Sequence, residues 1–87
     1  MKLVYFSWVR EKIGTDREEL HPPADITTVN DLIAWLKKQG EGYEAAFADM
    51  SGIRAAVNQE YSKLDVAVGA DDEVAFAVCD LHVDEIV

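Results

Sequence analysis

Val29, Leu32, Ile33 and Leu36 recur at spacings of three, four and seven residues, which puts all four on one face of a helix. Thr28 stands where it can cap the helix, and Asp31 suits the positive end of the dipole. Lys37 and Lys38 fall in the last turn and Gly40 supplies a left-handed stop, so the spacing predicts a helix over 29–39. The other long apolar segments are strand-like, and one helix must therefore cover a sheet, which is an α+β arrangement.

Leu3 to Val9 is aromatic and branched and ends at Arg10, before the turn signal Gly14-Thr15-Asp16, which predicts a first strand over 2–9. Leu3, Tyr5 and Val9 would share one face of it, and Val4, Phe6 and Trp8 the other. A strand apolar on both faces needs two layers of cover, and in a small domain the second layer can be another chain. A second strand is expected over 17–21, before Pro22-Pro23, and one or two helical turns over 43–48, ended by Asp49-Met50-Ser51-Gly52. Strands follow over 53–58 and 61–63, then a loop over 64–72 and a last core strand over 73–78 with Val74, Phe76 and Val78 on one face.

At 87 residues and 9.7 kDa the chain has room for one core, expected over 1–78 with 79–87 as a tail. Eight Lys and Arg against 17 Asp and Glu give a net charge of −9, which disfavours nucleic acid and anionic membranes and favours a basic protein surface. A single cysteine, Cys79, makes no internal disulfide, and no apolar run reaches the roughly 18 residues of a membrane span. A cytoplasmic location is expected.

Lys2-Leu3-Val4-Tyr5-Phe6, Val9-Arg10-Glu11 and Ile13-Gly14-Thr15 resemble the small subunit of molybdopterin synthase, a ubiquitin-like sulfur carrier. So do Thr28-Val29-Asn30-Asp31-Leu32, Ala55-Ala56-Val57-Asn58-Gln59 and Asp71-Asp72-Glu73-Val74-Ala75-Phe76. The resemblance covers about 2–76 and implies a ubiquitin-like β-grasp, a mixed sheet of about five strands covered by one main helix. It further implies a carrier whose C-terminal Gly-Gly is adenylated by an activating enzyme, becomes a thiocarboxylate and is inserted into the large synthase subunit to build the dithiolene of molybdopterin. The family's sheet face docks its partners, which implies interface roles for Phe6 and Tyr61, with Ala77 at an interface position that is aromatic in the family. Trp8 joins them through the strand argument.

From Ala77 onward the sequence departs from that pattern, and no glycine follows Gly69. Two alternatives to the carrier therefore stay open: a non-carrier β-grasp interaction module, and a thiamine-type sulfur carrier, which the insertion around 41–52 disfavours. Cys79, Leu81 and Val83 alternate with Asp80, His82 and Asp84, which predicts a strand or strap over the Phe6 and Trp8 face, or pairing with another copy. Neither a metal nor a cofactor is expected. Asp71-Asp72-Glu73 lacks calcium-loop spacing, His21 is isolated, and His82 lies across an extended chain from Cys79, so no catalytic pair forms. Ser51 precedes Gly52 where a prosthetic-group serine should open a helix, which argues against an acyl carrier.

Overall fold

The computed structural model describes residues 1–48 and 52–78. The expectations for Ser51, Cys79, His82 and the strand-like tail lie outside them. The elements run β1 (Lys2–Tyr5), α1 (Ser7–Ile13), β2 (Arg17–Glu19), α2 (Val29–Lys37), α3 (Glu41–Ala46), β3 (Ile53–Val57), β4 (Glu60–Ser62) and β5 (Glu73–Val78). The five strands form one mixed sheet in the order β2-β1-β5-β3-β4. β1 and β5 pair in parallel at its centre and the remaining pairs are antiparallel. A mixed five-stranded sheet spanned by a helix is what the resemblance implied.

Alternation decides which side chains face inward. Leu3 and Tyr5 of β1, Ile53 and Ala55 of β3, and Val74 and Phe76 of β5 are buried in one core with Val29, Leu32, Ile33 and Leu36 of α2. Phe76 is the aromatic centre: Tyr5 stacks nearly parallel to it at 6.4 Å, and Phe47 meets it edge-on at 5.0 Å. Thr28 caps α2 as expected, its hydroxyl accepting from Asp31 N–H at 3.1 Å. The N–H groups of Val29 and Asn30, which have no partner within the helix, donate to the carbonyls of Val66 and Leu64. The loop after β4 thus completes the helix start.

Two expectations need correction. The first strand stops at Tyr5, because Ser7 takes a left-handed φ of 56° that turns the chain into α1. Val9 reaches the core from that helix, with Ile13 one turn on packed against the core, and Gly14 at φ 96° closes α1 through its N–H to the Arg10 carbonyl. Gly40 is no left-handed stop: α2 ends at Lys38 in right-handed geometry, and Gly40, extended at φ 165°, opens α3. α2 is the main helix over the sheet, with four buried core residues, and α1 and α3 add Val9 and Ala46 to the same core.

α3 is held by polar contacts and close approach. The hydroxyls of Tyr5 and Tyr43 both donate to Glu18 Oε2 at 2.7 Å, which ties β1 and α3 to β2. Burial, then the Glu18 hydrogen bond and charge, raise both phenols, that of Tyr43 to about 12. Folded values above the ordinary 10.0 mean the folded state holds these protons more tightly. Their contribution is complete below about pH 10 and disappears as pH rises through the folded values. Urea midpoints should therefore fall between neutral pH and about pH 11 in the natural protein, and fall less in Tyr43→Phe; equal pH dependence in the two would rule out this linkage. A Cβ on Gly42 would lie 2.5 Å from the Lys12 carbonyl oxygen, a backbone atom with little freedom to move. Gly42→Ala should cost about 1–3 kcal/mol in chemical denaturation by separating α1 from α3.

Candidate functional site: the outer face of the sheet

The same alternation turns Lys2, Val4, Arg54, Ala56, Ala75 and Ala77 to the opposite face, where none of them is fully buried. The buried residues of α1, α2 and α3 all belong to the single inner core, so these helices serve the other side. Cross-strand register arranges the outer face in rows. Arg17, Val4, Ala75, Ala56 and Tyr61 stand abreast through the pairs Arg17 with Val4, Val4 with Ala75, Ala75 with Ala56, and Ala56 with Tyr61. The next row holds Arg54 opposite Ala77. Phe6 continues it, one step past Tyr5 and Phe76, with its N–H on the Phe76 carbonyl at 2.9 Å.

Small residues make the middle of this face low, and two aromatics stand above it. Phe6 is 49% exposed and Tyr61 80% exposed, and these are the large hydrophobics left in solvent among the described residues. At the other end Lys2 pairs with both Glu19 and Glu73 across the strands, beside a groove of about 300 Å³ over β1 and β2.

Of the residues expected at an interface, the fold brings Phe6, Tyr61 and Ala77 onto this face. Trp8 is not with them: it sits on α1, half-buried against the core, because the strand that would have carried it ends at Tyr5. Arg17 and Arg54 were missed. Their place depends on strand register, and in sequence they are only charged residues at the starts of two strands.

Asn58 and Asp72 have a different task. The β3–β4 hairpin turns through Asn58 and Gln59 at φ 52° and 71°, the pair of left-handed residues that a two-residue hairpin loop requires. Asn58 Nδ2 donates to Asp72 Oδ1 at 3.0 Å, and Glu73 N–H donates to Asn58 Oδ1 at 3.1 Å. Gly69 N–H donates to Asp72 Oδ2 at 2.8 Å, and these bonds hold the Asp72 carboxyl below its ordinary pKa. The acidic run singled out in the sequence therefore fastens the hairpin to the loop before β5. Among the described residues no group of His, Cys, Asp or Glu could hold a metal ion.

Residues 3–77 match the ThiS family. The chain belongs to the ThiS family. It is 37% identical over 76 residues to the molybdopterin synthase sulfur carrier subunit of Escherichia coli K12, covering 87% of this chain and 90% of that one. A Pyrococcus furiosus protein assigned as molybdopterin converting factor subunit 1 superposes with a TM-score of 0.71 at 28% identity, over 91% of this chain and 95% of the other. The small archaeal modifier protein 1 of H. volcanii superposes with a TM-score of 0.74 at 25% identity, over 92% and 97% of the two chains. These superpositions establish the ubiquitin-like β-grasp fold, and the ThiS match ends in β5 at Ala77, where the sequence also leaves the expected pattern.

Exposure separates the roles of the aromatics. Phe6→Ala and Tyr61→Ala should leave urea stability within about 0.5 kcal/mol of the natural protein, whereas Phe76→Ala should cost about 3–5 kcal/mol. A comparable loss at Phe6 would make it a support of the fold instead of a surface anchor.

Proposed function

We propose that this chain is the small, non-catalytic subunit of a molybdopterin synthase, a sulfur carrier in molybdenum cofactor biosynthesis that docks on the large subunit through the outer face of its sheet. The observation that carries the reading is the 37% identity extending over 90% of the E. coli sulfur carrier subunit. The outer face supports it physically, because exposed Phe6 and Tyr61 flank a low apolar floor of alanines and Val4. Aromatic anchors of this sort supply much of the affinity at interfaces. The partners that follow are the large synthase subunit and an adenylating activating enzyme, both proteins. A further proposal, drawn from the alternating pattern of residues 79–87, is self-association through the tail.

Residues 77–87 favour a second reading, a β-grasp interaction module without carrier chemistry. A terminal glycine pair lets an extended tail thread a narrow channel and leaves the reacting carboxylate uncrowded. Residues 77–87 contain no glycine. A thiamine-type carrier is the weaker alternative, since the relatives in E. coli and P. furiosus are both molybdopterin proteins by name.

Intact-mass measurement of the full chain after incubation with the activating enzyme, ATP and a sulfur donor separates the first two. A thiocarboxylate adduct is expected of a carrier, and an unmodified chain that still binds the large subunit is expected of a module. Phe6→Ala should weaken binding to the large subunit by roughly 1–3 kcal/mol under either reading, and unchanged affinity would remove the outer face from the interface.

A further inference from the structure

Net charge and local charge disagree on the outer face. A chain of net charge −9 would be expected to seek a basic partner. Strand pairing instead gathers Lys2, Arg17 and Arg54 on this face, with Glu19 and Glu73 as the carboxylates that share their cross-strand rows. Both of those carboxylates stand directly beside Lys2, at the end of the face away from Phe6. Glu18 points to the other side, where it accepts from Tyr5 and Tyr43. Among the described residues, the rows that hold Phe6, Ala77, Val4, Ala75, Ala56 and Tyr61 therefore contain cations and no carboxylate: Arg17 in one row and Arg54 in the other. Both arginines are exposed.

We propose that the protein surface that docks here carries carboxylates on its rim, one meeting Arg17 and another meeting Arg54, around an apolar centre seated on Val4, Ala75 and Ala56 beside Phe6. The inference rests on the proposed docking function and adds the chemistry of the partner. β2 and β3 are three strand spacings apart, so the two arginines stand about 14 Å apart across the sheet and about 7 Å offset along it. The partner's carboxylates must match that diagonal. Arginine suits such a rim, since its planar fork binds a carboxylate through two parallel hydrogen bonds and is less strongly hydrated than lysine. A basic partner would face the arginines with like charge as it docked, and like charges juxtaposed in an interface are strongly unfavourable.

The first test needs no partner. Amide NMR of the full chain is followed while an oligoglutamate peptide, or separately an oligolysine peptide, is added at low salt. Oligoglutamate should shift the amides of Phe6, Arg17, Arg54 and Ala77 in spite of the overall negative charge, and oligolysine should act on the helical side. Oligolysine collecting on the outer face, or oligoglutamate leaving it unshifted, would overturn the inference. The second test measures binding to the large synthase subunit. R17E and R54E should each weaken it about tenfold or more and make it less sensitive to salt, while K37E on α2, with the same change in net charge, should stay within about threefold. Equal losses in all three, or tighter binding by R17E or R54E, would sink the claim. If the natural chain binds no large subunit, the functional reading fails and the peptide map alone decides this one. If the natural chain sediments as a dimer that R54E separates, the matching carboxylates belong to a second copy, and the inference of a different partner is wrong.

Discussion

The structure depends on an imbalance of cover. Five strands make a sheet with two faces, and the three helices among the described residues all place their buried residues against one of them. The parallel pairing of β1 and β5 makes that imbalance consequential, because it sets the first and last described strands at the centre of the sheet. Every second residue of those strands goes to the packed side and the residues between them have nowhere else to point. Val4, Ala75 and Ala77 consequently form the floor of the open face by the same register that buries Leu3, Val74 and Phe76. A one-residue slip in the pairing would exchange the two sets, so core and open face are a single specification.

Polar groups secure the parts that hydrophobic burial reaches weakly. β2 is only three residues long, and Glu18 anchors it by accepting from two phenols, one on the central strand and one on α3. At the opposite end, Asn58 and Asp72 satisfy backbone N–H groups at Glu73 and Gly69 while bonding to each other. Such networks hold when each member is satisfied, and no buried side-chain nitrogen or oxygen among the described residues lacks a partner. Both networks sit at the margins of the sheet. That leaves the Tyr5 hydroxyl, turned toward Glu18, as the polar group that the central strands bring to the packed side among the described residues, and small apolar side chains on the open side.

Most of the strand framework and all of α2 were legible, because period-two and 3.6-residue patterns are strong over those stretches and Thr28 and Asp31 mark the helix start. α1 was not. It is seven residues long, begins at a residue in left-handed geometry and sends one fully buried side chain, Val9, into the core. Two signals for it were present: Val9 and Ile13 are four apart across the charged triplet Arg10-Glu11-Lys12, and Gly14 follows as a stop. The aromatic run from Tyr5 to Trp8 read more strongly as strand and outweighed them. That error carried Trp8 onto the outer face. The matching error at Gly40 took a glycine for a helix stop when its extended backbone begins the next helix.

Arg17 and Arg54 show a limit of a different kind. Composition gives the sign of the far field, which governs encounter and solubility, and at −9 that sign is plain. It does not give the field at contact, where the Debye length of about 8 Å at physiological salt leaves only the nearest charges effective. Which charges are nearest is decided by register: Arg17 belongs to the apolar floor because it stands across from Val4, and Arg54 because it stands across from Ala77. Thirty-seven positions separate them in the chain, and no periodicity joins them. Under the proposed docking, an acidic protein presents a basic rim to its partner, repelling acidic surfaces at a distance and accepting them where the sheet has drawn Arg17 and Arg54 together. The cost falls on the rate of encounter, and the gain is that a surface lacking carboxylates at the right diagonal leaves both arginines without a partner.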